Sequence, residues 1–182
     1  MKALVAALVL LSVPAFADER PVTRPTRDVD VVYVATVGGQ PVQQRTRITA
    51  GAAEIRIDTP SPGLYVIVNR DAHTMDMVSD AERGVIQMPY DPARATAVPA
   101  ESAPFRRLGT ATVAGLQCTE WDTEDSAGHA VAACFTDDGV MLRAREGDQI
   151  LVAAAKVAYG RLDPAIFTPP AGYGRTVAPA KR

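Results

Sequence analysis

The sequence predicts a mainly β protein whose strands pair in antiparallel order. Three observations lead to this prediction. Apolar and polar residues alternate with a period of two along most of the chain, which is typical of strands that place one face on a core. The connections between these segments are short and rich in glycine, proline and aspartate, which favours hairpins. No segment longer than about ten residues shows the 3.6-residue periodicity of an amphipathic helix.

The first half of the chain predicts a meander of six strands. The first strand ends at Gly38-Gly39, and the third is followed by Pro60-Ser61-Pro62-Gly63. Both are strong turn sequences, because glycine accepts positive φ and proline presets φ. The predicted strands are residues 28–37, 41–49, 54–59, 64–69, 73–78 and 84–88.

The second half predicts a further run of strands after a crossing loop. The loop covers residues 88–104 and contains four prolines, and Asp91-Pro92 suits the cap and first residue of a short helix. Asp163-Pro164 predicts a second short helix, which would form a clasp in which Phe167 docks on the sheet and Tyr173 packs back. The predicted strands of this half are residues 105–115, 116–123, 129–136, 140–146 and 149–160.

The N-terminus has the layout of a secretory signal peptide. Lys2 is followed by an apolar run at residues 3–13 and by Ala15-Phe16-Ala17, so cleavage is expected after Ala17. The apolar run is shorter than the roughly 20 residues that span a bilayer. We therefore expect a periplasmic protein, peripheral to the membrane at most. Its organisation would be a signal peptide at 1–17, a linker at 18–27, one domain at 28–173 and a disordered tail at 174–182.

Composition and motifs argue against several function classes. The 19 basic and 21 acidic residues leave the chain mildly acidic, and no basic stripe with interleaved aromatics is present, which argues against nucleic-acid binding. His73 and His129 have no nucleophile in an identifiable motif beside them. The sequence therefore predicts no catalytic residues, no metal site and no cofactor.

The segment from Gly115 to Gly139 contains both cysteines, and we interpret it as a hairpin closed by a disulfide. An exported chain meets an oxidising compartment, where two cysteines pair. With the turn centred on Ser126, Cys118 lies directly opposite Cys134, and a bond between them would stabilise the fold by about 3 kcal/mol. This register places the cysteines on the solvent face with Glu120 and Asp122, and it turns four residues to the core: Trp121, Val131, Ala133 and Phe135.

Two alternatives for this hairpin remain open but are weaker. A redox dithiol usually has Cys-x-x-Cys spacing at the start of a helix, whereas Cys118 and Cys134 lie in the middle of predicted strands. A metal site that used both cysteines and His129 would lack a fourth ligand, and the neighbouring carboxylates do not follow a calcium-loop spacing.

Three segments resemble an uncharacterised family of exported bacterial domains (domain of unknown function 4412). They are IRIDTPSPGLYVIVNRDAHTMDMVSDAERGVIQMPYD, GTATVAGLQCTEWDT and LDPAIFTPPAGY, at residues 55–91, 109–123 and 162–173. That family is similar to the lipoprotein carrier LolA and the sensor protein RseB, and the resemblance extends over residues 28–173. It implies a strongly curved antiparallel sheet, a half-barrel with one or two short helices, around an apolar concave face.

The resemblance also implies a function. A non-catalytic binding or carrier-like protein would hold a lipid, a lipoprotein or another hydrophobic molecule on the concave face, because an uncovered apolar sheet face must close on itself or bind something apolar. The alternative is an envelope accessory module that binds a protein partner through a sheet edge. The residues expected on the concave face are Tyr33, Val66, Met75, Met77 and Val152.

Overall fold

The computed structural model describes residues 19–92, 99 and 102–178, and these residues form one twelve-stranded sheet with hardly any helix. The mainly β prediction is confirmed, and every predicted strand is present. In chain order the strands are β1 (Val29–Val37), β2 (Gln40–Ile48), β3 (Glu54–Asp58), β4 (Leu64–Asn69), β5 (Thr74–Ser79), β6 (Gly84–Pro89), β7 (Arg106–Val113), β8 (Leu116–Glu124), β9 (Ala130–Phe135), β10 (Met141–Glu146), β11 (Gln149–Tyr159) and β12 (Gly174–Val177).

The strands lie in the order β12-β6-β5-β4-β3-β2-β1-β11-β10-β9-β8-β7. The first six therefore form the predicted meander, and β11 joins it to the second run of strands. The turn between β1 and β2 uses Gly38 and Gly39 at φ of 58° and 78°, the left-handed conformation that a two-residue hairpin turn requires. The predicted signal peptide and its cleavage site after Ala17 lie outside the described residues. The short helix expected to begin at Asp91-Pro92 also lies outside the described residues from residue 93 on.

The meander has two faces that are both rich in apolar residues. Residues that pair across neighbouring strands share a face, so Ile57, Val66 and Met77 lie on one side, which we call the cavity face. Tyr65 and Val78 pair on the other side, which we call the clasp face. The clasp face is covered by the C-terminal part of the chain.

The clasp follows the sequence prediction. Asp163 accepts a hydrogen bond from the backbone nitrogen of Ala165 at 2.9 Å and so caps a 3-10 helix over Pro164–Phe167. Phe167 is 5% exposed and packs in a cluster with four residues of β4 to β6: Tyr65, Ile67, Val78 and Val85.

The tail prediction was wrong for its first part. Gly174–Val177 form β12, which pairs with β6 in parallel, whereas every other neighbouring pair of described strands is antiparallel. No sequence pattern indicates this strand, because its four residues are all exposed and do not alternate. What orders them is the free edge of β6, whose backbone groups lie beside them.

The cysteine hairpin forms with a different register. Glu120 pairs with Cys134 and Trp121 with Ala133, so the turn is centred one residue later than predicted, on Ala127. The reason lies in Asp125, whose side chain accepts hydrogen bonds from the backbone nitrogens of Ala127 and His129 at 2.8 and 2.9 Å. This local network fixes a turn that runs from Asp125 to His129.

The Cys118–Cys134 disulfide is present, with a Cα–Cα distance of 5.5 Å, but it joins diagonal rather than directly opposite residues. The prediction of a solvent-facing bond was also wrong. Cys118 and Cys134 are 3% and 0% exposed and pack in the main core with Val29, Val31 and Leu142. This end of the sheet curls until β7 approaches β11, and the curl buries a face that would meet water in a flat hairpin.

Trp121, Val131, Ala133 and Phe135 are all buried, as predicted. Trp121 and Phe135 both pack edge-on against Phe105, with ring centroids 6.2 and 6.4 Å away.

In the part of the chain that the structure describes, no helix has the length and apolar character needed to cross a membrane.

Candidate ligand-binding cavity

A cavity of about 850 Å³ lies on the cavity face of the meander. Strands β1 to β6 form its main wall, and β11 and the β9–β10 hairpin add to it from the other half of the sheet. The chain before β1, the loop after β6 and Ala178, directly after β12, complete it. The apolar and aromatic residues of the described wall are Pro25, Tyr33, Ile48, Ala52, Ile55, Ile57, Val66, Val68, Met75, Met88, Pro89, Tyr90, Pro99, Phe135, Met141, Val152 and Ala178.

The five residues expected on the concave face do not all line this cavity. Tyr33, Val66, Met75 and Val152 do, but Met77 does not. Met77 shares a face with Val66, yet it lies further along β5, where its side chain is 37% exposed. The cavity therefore occupies the Met75 end of β5 and stops before Met77.

Some of the other wall residues could be predicted from local sequence patterns, and others could not. Ile55 and Ile57 follow from strand alternation, since both alternate with the charged residues of β3 and pair with Val68 and Val66. Phe135 and Met141 belong to a distant part of the sequence, and no local pattern brings them to the meander. Sheet curvature alone does so.

The predicted linker at residues 18–27 forms part of the wall. Thr23, Arg24 and Pro25 line the cavity, and Pro25 is buried. The backbone nitrogen of Thr26 donates to the carbonyl oxygen of Asp138 at 2.9 Å, and that of Gly51 donates to Pro25 at 2.7 Å. The segment is thus held between the β9–β10 turn and the β2–β3 turn.

Gly139 permits the close approach of this segment. It has a φ of 90°, and a Cβ atom added there would lie 2.4 Å from the carbonyl oxygen of Arg24. Arg27 strengthens the contact, because its guanidinium stacks 3.6 Å above the ring of Tyr159 and bonds to Asp138 at 2.8 Å. Burial alone would raise the pKa of Asp138, but hydrogen bonds from Thr136, Arg27 and Tyr159 lower it overall.

Two of the described wall residues that have a polar group, Tyr33 and Thr46, are buried. Tyr33 is buried and donates its hydroxyl to the carbonyl oxygen of Met141 at 2.7 Å, and burial raises the pKa of its phenol, so it stays neutral. Thr46 is 6% exposed, and its Oγ1 has no hydrogen-bond partner among the described residues. A buried hydroxyl without a partner is costly, so this atom marks a point where a ligand or a water molecule would gain a hydrogen bond.

Neither histidine of the chain lies in the cavity wall. His73 is exposed in the β4–β5 turn, and His129 is exposed at the hairpin tip, where its Nδ1 lies 3.1 Å from Asp125. Within residues 19–92, 99 and 102–178, no group of three or more histidine, cysteine or acidic residues is placed to hold a metal ion.

Several solved structures share this fold at low sequence identity. An uncharacterized conserved protein from Thermus thermophilus matches with a TM-score of 0.60 and 10% identity, over 84% of this chain and 91% of that one. MucB matches with a TM-score of 0.54 and 14% identity, over 82% of this chain and 59% of MucB. PNGF-II matches with a TM-score of 0.53 and 13% identity, over 85% of this chain and 31% of PNGF-II.

At these identities the likeness shows the fold alone, a curved, mainly β sheet like that of MucB. MucB has also been solved in complex with MucA(peri), and that structure matches with a TM-score of 0.50 and 14% identity, over 79% of this chain and 54% of that one. No protein-family model matches the chain, and no curated protein sequence matches it.

Proposed function

We propose that this chain is a periplasmic binding or carrier-like protein whose cavity holds the apolar body of a lipid or another hydrophobic molecule. The observation that carries the proposal is the cavity itself. Its volume of about 850 Å³ falls in the range of roughly 300–1,000 Å³ that is usual for small-molecule sites, and its wall is predominantly apolar. An apolar surface of this extent is unfavourable in water unless something covers it.

The ligand would be amphipathic. Thr46 offers an unpaired hydroxyl inside the wall, and Arg24, Arg70 and Asp91 contribute polar side chains to it. A ligand with a long apolar part and one polar end would satisfy both kinds of surface. We propose binding rather than catalysis, because the described part of the wall is built mainly from aliphatic, thioether and aromatic side chains and contains no histidine, serine or cysteine.

Export to the envelope belongs to the same proposal. The signal-peptide layout at residues 1–17 supports it, and so does the Cys118–Cys134 disulfide, since such bonds persist in oxidising compartments. The likeness to MucB supports, at the level of the fold, the LolA and RseB resemblance that the sequence motifs suggest.

Two methionines of one strand provide a matched test. Met75 lines the cavity and Met77, two residues further on the same face, does not. Native mass spectrometry of the purified mature protein should reveal a co-purified lipid, and a fluorescent fatty acid should bind to the delipidated protein. Met75→Glu should reduce that binding at least tenfold, because it places a carboxylate in the apolar wall. Met77→Glu should leave binding within about twofold.

Two outcomes would overturn this function. One is a wild-type protein that neither carries a lipid nor takes up the fatty acid. The other is an equal loss of binding in the Met75 and Met77 variants, since the ligand would then not occupy this cavity.

Partner binding through a sheet edge is the second candidate function. The MucB structure in complex with MucA(peri) favours it, because a chain of this fold is there associated with a second protein. Affinity capture from envelope extracts tests it, with the fatty acid present and absent. Capture of a protein whose binding does not respond to the fatty acid would support the second candidate over the first.

A further inference from the structure

The strand β12 differs from every other described strand of the sheet. It is the only one of them without an antiparallel neighbour, and all four of its residues are exposed. Its ends are held by backbone bonds, from the Gly174 nitrogen to the Arg83 oxygen and from the Ala178 nitrogen to the Gln87 oxygen, both at 2.8 Å. Removing β12 from the edge of β6 would therefore cost main-chain hydrogen bonds but would take no side chain out of the core.

One side chain of β12 nevertheless forms an ion pair with a residue of the sheet. The guanidinium of Arg175 lies 3.3 and 3.4 Å from the two carboxylate oxygens of Asp76. The Asp76 side chain is only 12% exposed, and it also accepts a hydrogen bond from Gln87 at 3.1 Å. A carboxylate that is mostly buried beside a strand edge favours an incoming chain with a basic residue at this position.

The other face of the same edge is apolar and incompletely covered. Thr176 pairs with Ile86, which pairs with Met77, so the three lie side by side on the cavity face. Ile86 and Met77 are 44% and 37% exposed. A residue larger than threonine at the position of Thr176 would cover them better, and burying apolar area stabilises the pairing.

We propose that the edge of β6 is an acceptor site for an extended peptide segment of a protein partner, and that β12 occupies this site in the absence of the partner. The partner segment pairs with β6 in parallel. It carries a basic residue that contacts Asp76, followed directly by a large apolar residue that covers Ile86 and Met77. Main-chain pairing provides the affinity and these two side chains provide the specificity, as in other cases of strand addition.

This inference deepens the second candidate function, because it names the edge and the chemistry of the partner. It does not rest on the identity of the cavity ligand, although Ala178, directly after β12, also lines the cavity. The test uses the full mature chain and labelled peptides, with fluorescence anisotropy as the measurement. The probe is Tyr-Gly-Arg-Leu-Val-Ala, which is the sequence of residues 173–178 with leucine in place of threonine.

The expected results form a consistent set. Arg175→Ala in the chain loosens β12 but leaves the acceptor intact, so the probe should bind about two- to fivefold more tightly, a size that follows from the modest strength of exposed ion pairs. Adding Asp76→Asn should remove this gain. A probe with glutamate in place of arginine should bind at least fivefold more weakly. Arg106→Ala, at the opposite edge of the sheet, should change nothing.

Hydrogen exchange provides a second readout that needs no peptide. The amides of Gly174 and Ala178 should exchange faster in Arg175→Ala than in the wild type, while the β4 amides should not change. The proposal is overturned if Arg175→Ala binds the probe no better than the wild type, or if the glutamate probe binds as well as the arginine probe. If either result were found while a protein was still captured from envelope extracts, the chain would bind a partner through a surface other than the edge of β6.

Discussion

Both faces of strands β3 to β6 have apolar residues, but the surroundings of the two faces differ. Tyr65, Ile67 and Val78 on the clasp face pack under Phe167, so that the C-terminal part of the chain completes the core there. Ile57, Val66 and Met75 on the cavity face have an open volume beside them. The chain therefore has a segment able to cover an apolar sheet face, and this segment covers the face opposite the cavity.

The contacts that attach the clasp partly explain why it covers this face and not the cavity face. The two carboxylate oxygens of Asp28 accept hydrogen bonds from the backbone nitrogens of Ala50 and Leu162, both at 2.9 Å. Arg56 adds a bond from its guanidinium to the carbonyl oxygen of Ile166 at 3.0 Å while it stacks 3.6 Å above the ring of Tyr65. These contacts direct the segment after β11 onto the clasp face.

The largest effect is expected from Phe167→Ala. The side chain is 5% exposed and packs against four strand residues, so its removal should lower the free energy of unfolding by about 3–5 kcal/mol. Denaturant unfolding measures this loss. Val177→Ala, at a side chain that is 66% exposed, is the control and should change stability by less than about 0.5 kcal/mol. A loss below about 1 kcal/mol for Phe167→Ala would mean that the clasp does not complete the core.

The disulfide lies in the other half of the sheet, where both faces of β9 are buried. Replacing both cysteines with alanine should lower the free energy of unfolding by about 3 kcal/mol, since the bond closes a loop with a sequence separation of 16. Calorimetry of the double variant would measure it. A solvent-facing bond would remain fully accessible to mild reductant in the folded protein, whereas the buried bond should resist it until the protein unfolds.

Asp28→Asn tests the attachment of the clasp. Hydrogen bonds from the Leu162 and Ala50 nitrogens lower the pKa of Asp28 below its ordinary value of 3.8. The stabilisation is therefore fully present above that value and is lost as the pH falls through the lowered pKa. The free energy of unfolding of the variant should be about 1–2 kcal/mol lower than that of the wild type at neutral pH. Between roughly pH 5 and pH 2, where carboxylates titrate, the variant should lose less stability than the wild type does.

The control for Asp28 is Asp71→Asn, at an exposed carboxylate in the β4–β5 turn. Its free energy of unfolding at neutral pH should stay within about 0.5 kcal/mol of the wild-type value. If Asp28→Asn and the wild type lose stability in parallel on acidification, another carboxylate carries the acid sensitivity.

The smallest effect on stability is expected from Met75→Ala on the open face. The side chain is half-buried and already borders the cavity, so its removal enlarges an existing space instead of creating a void inside packed core. The free energy of unfolding of the delipidated protein should fall by less than about 1 kcal/mol. Replacing a fully packed methionine with alanine usually lowers it by roughly 2–5 kcal/mol. A loss equal to that of Phe167→Ala would mean that the two faces are packed alike.

Much of this architecture could be predicted from short stretches of sequence. The alternation in β2 and β3, the Gly38-Gly39 turn and the Asp163-Pro164 cap each act over a few residues, and each led to the right element. The pairing of Cys118 with Cys134 was also accessible. The predicted register of the hairpin was wrong. The side chain of Asp125 sets the position of the turn, and the number of residues between the cysteines does not determine it.

The cavity was only partly accessible from sequence. Tyr33, Val66, Met75 and Val152 were expected on the concave face and line the cavity, but alternation could not show that it ends before Met77. Nor could it place Phe135 and Met141 opposite the meander, or bury the cysteines under the curled end of the sheet. A periodic pattern reports which residues share a face, and it contains no information on how strongly that face curves.

The strands, most of their turns, the clasp and the disulfide partners thus follow from the amino-acid sequence, because neighbouring residues decide these through φ preferences, capping and alternation. Three features arise only in the folded chain: which apolar face is covered, where the cavity begins and ends, and the pairing of Gly174–Val177 with β6. These depend on sheet curvature and on a free backbone edge, which exist only when strands far apart in the chain meet.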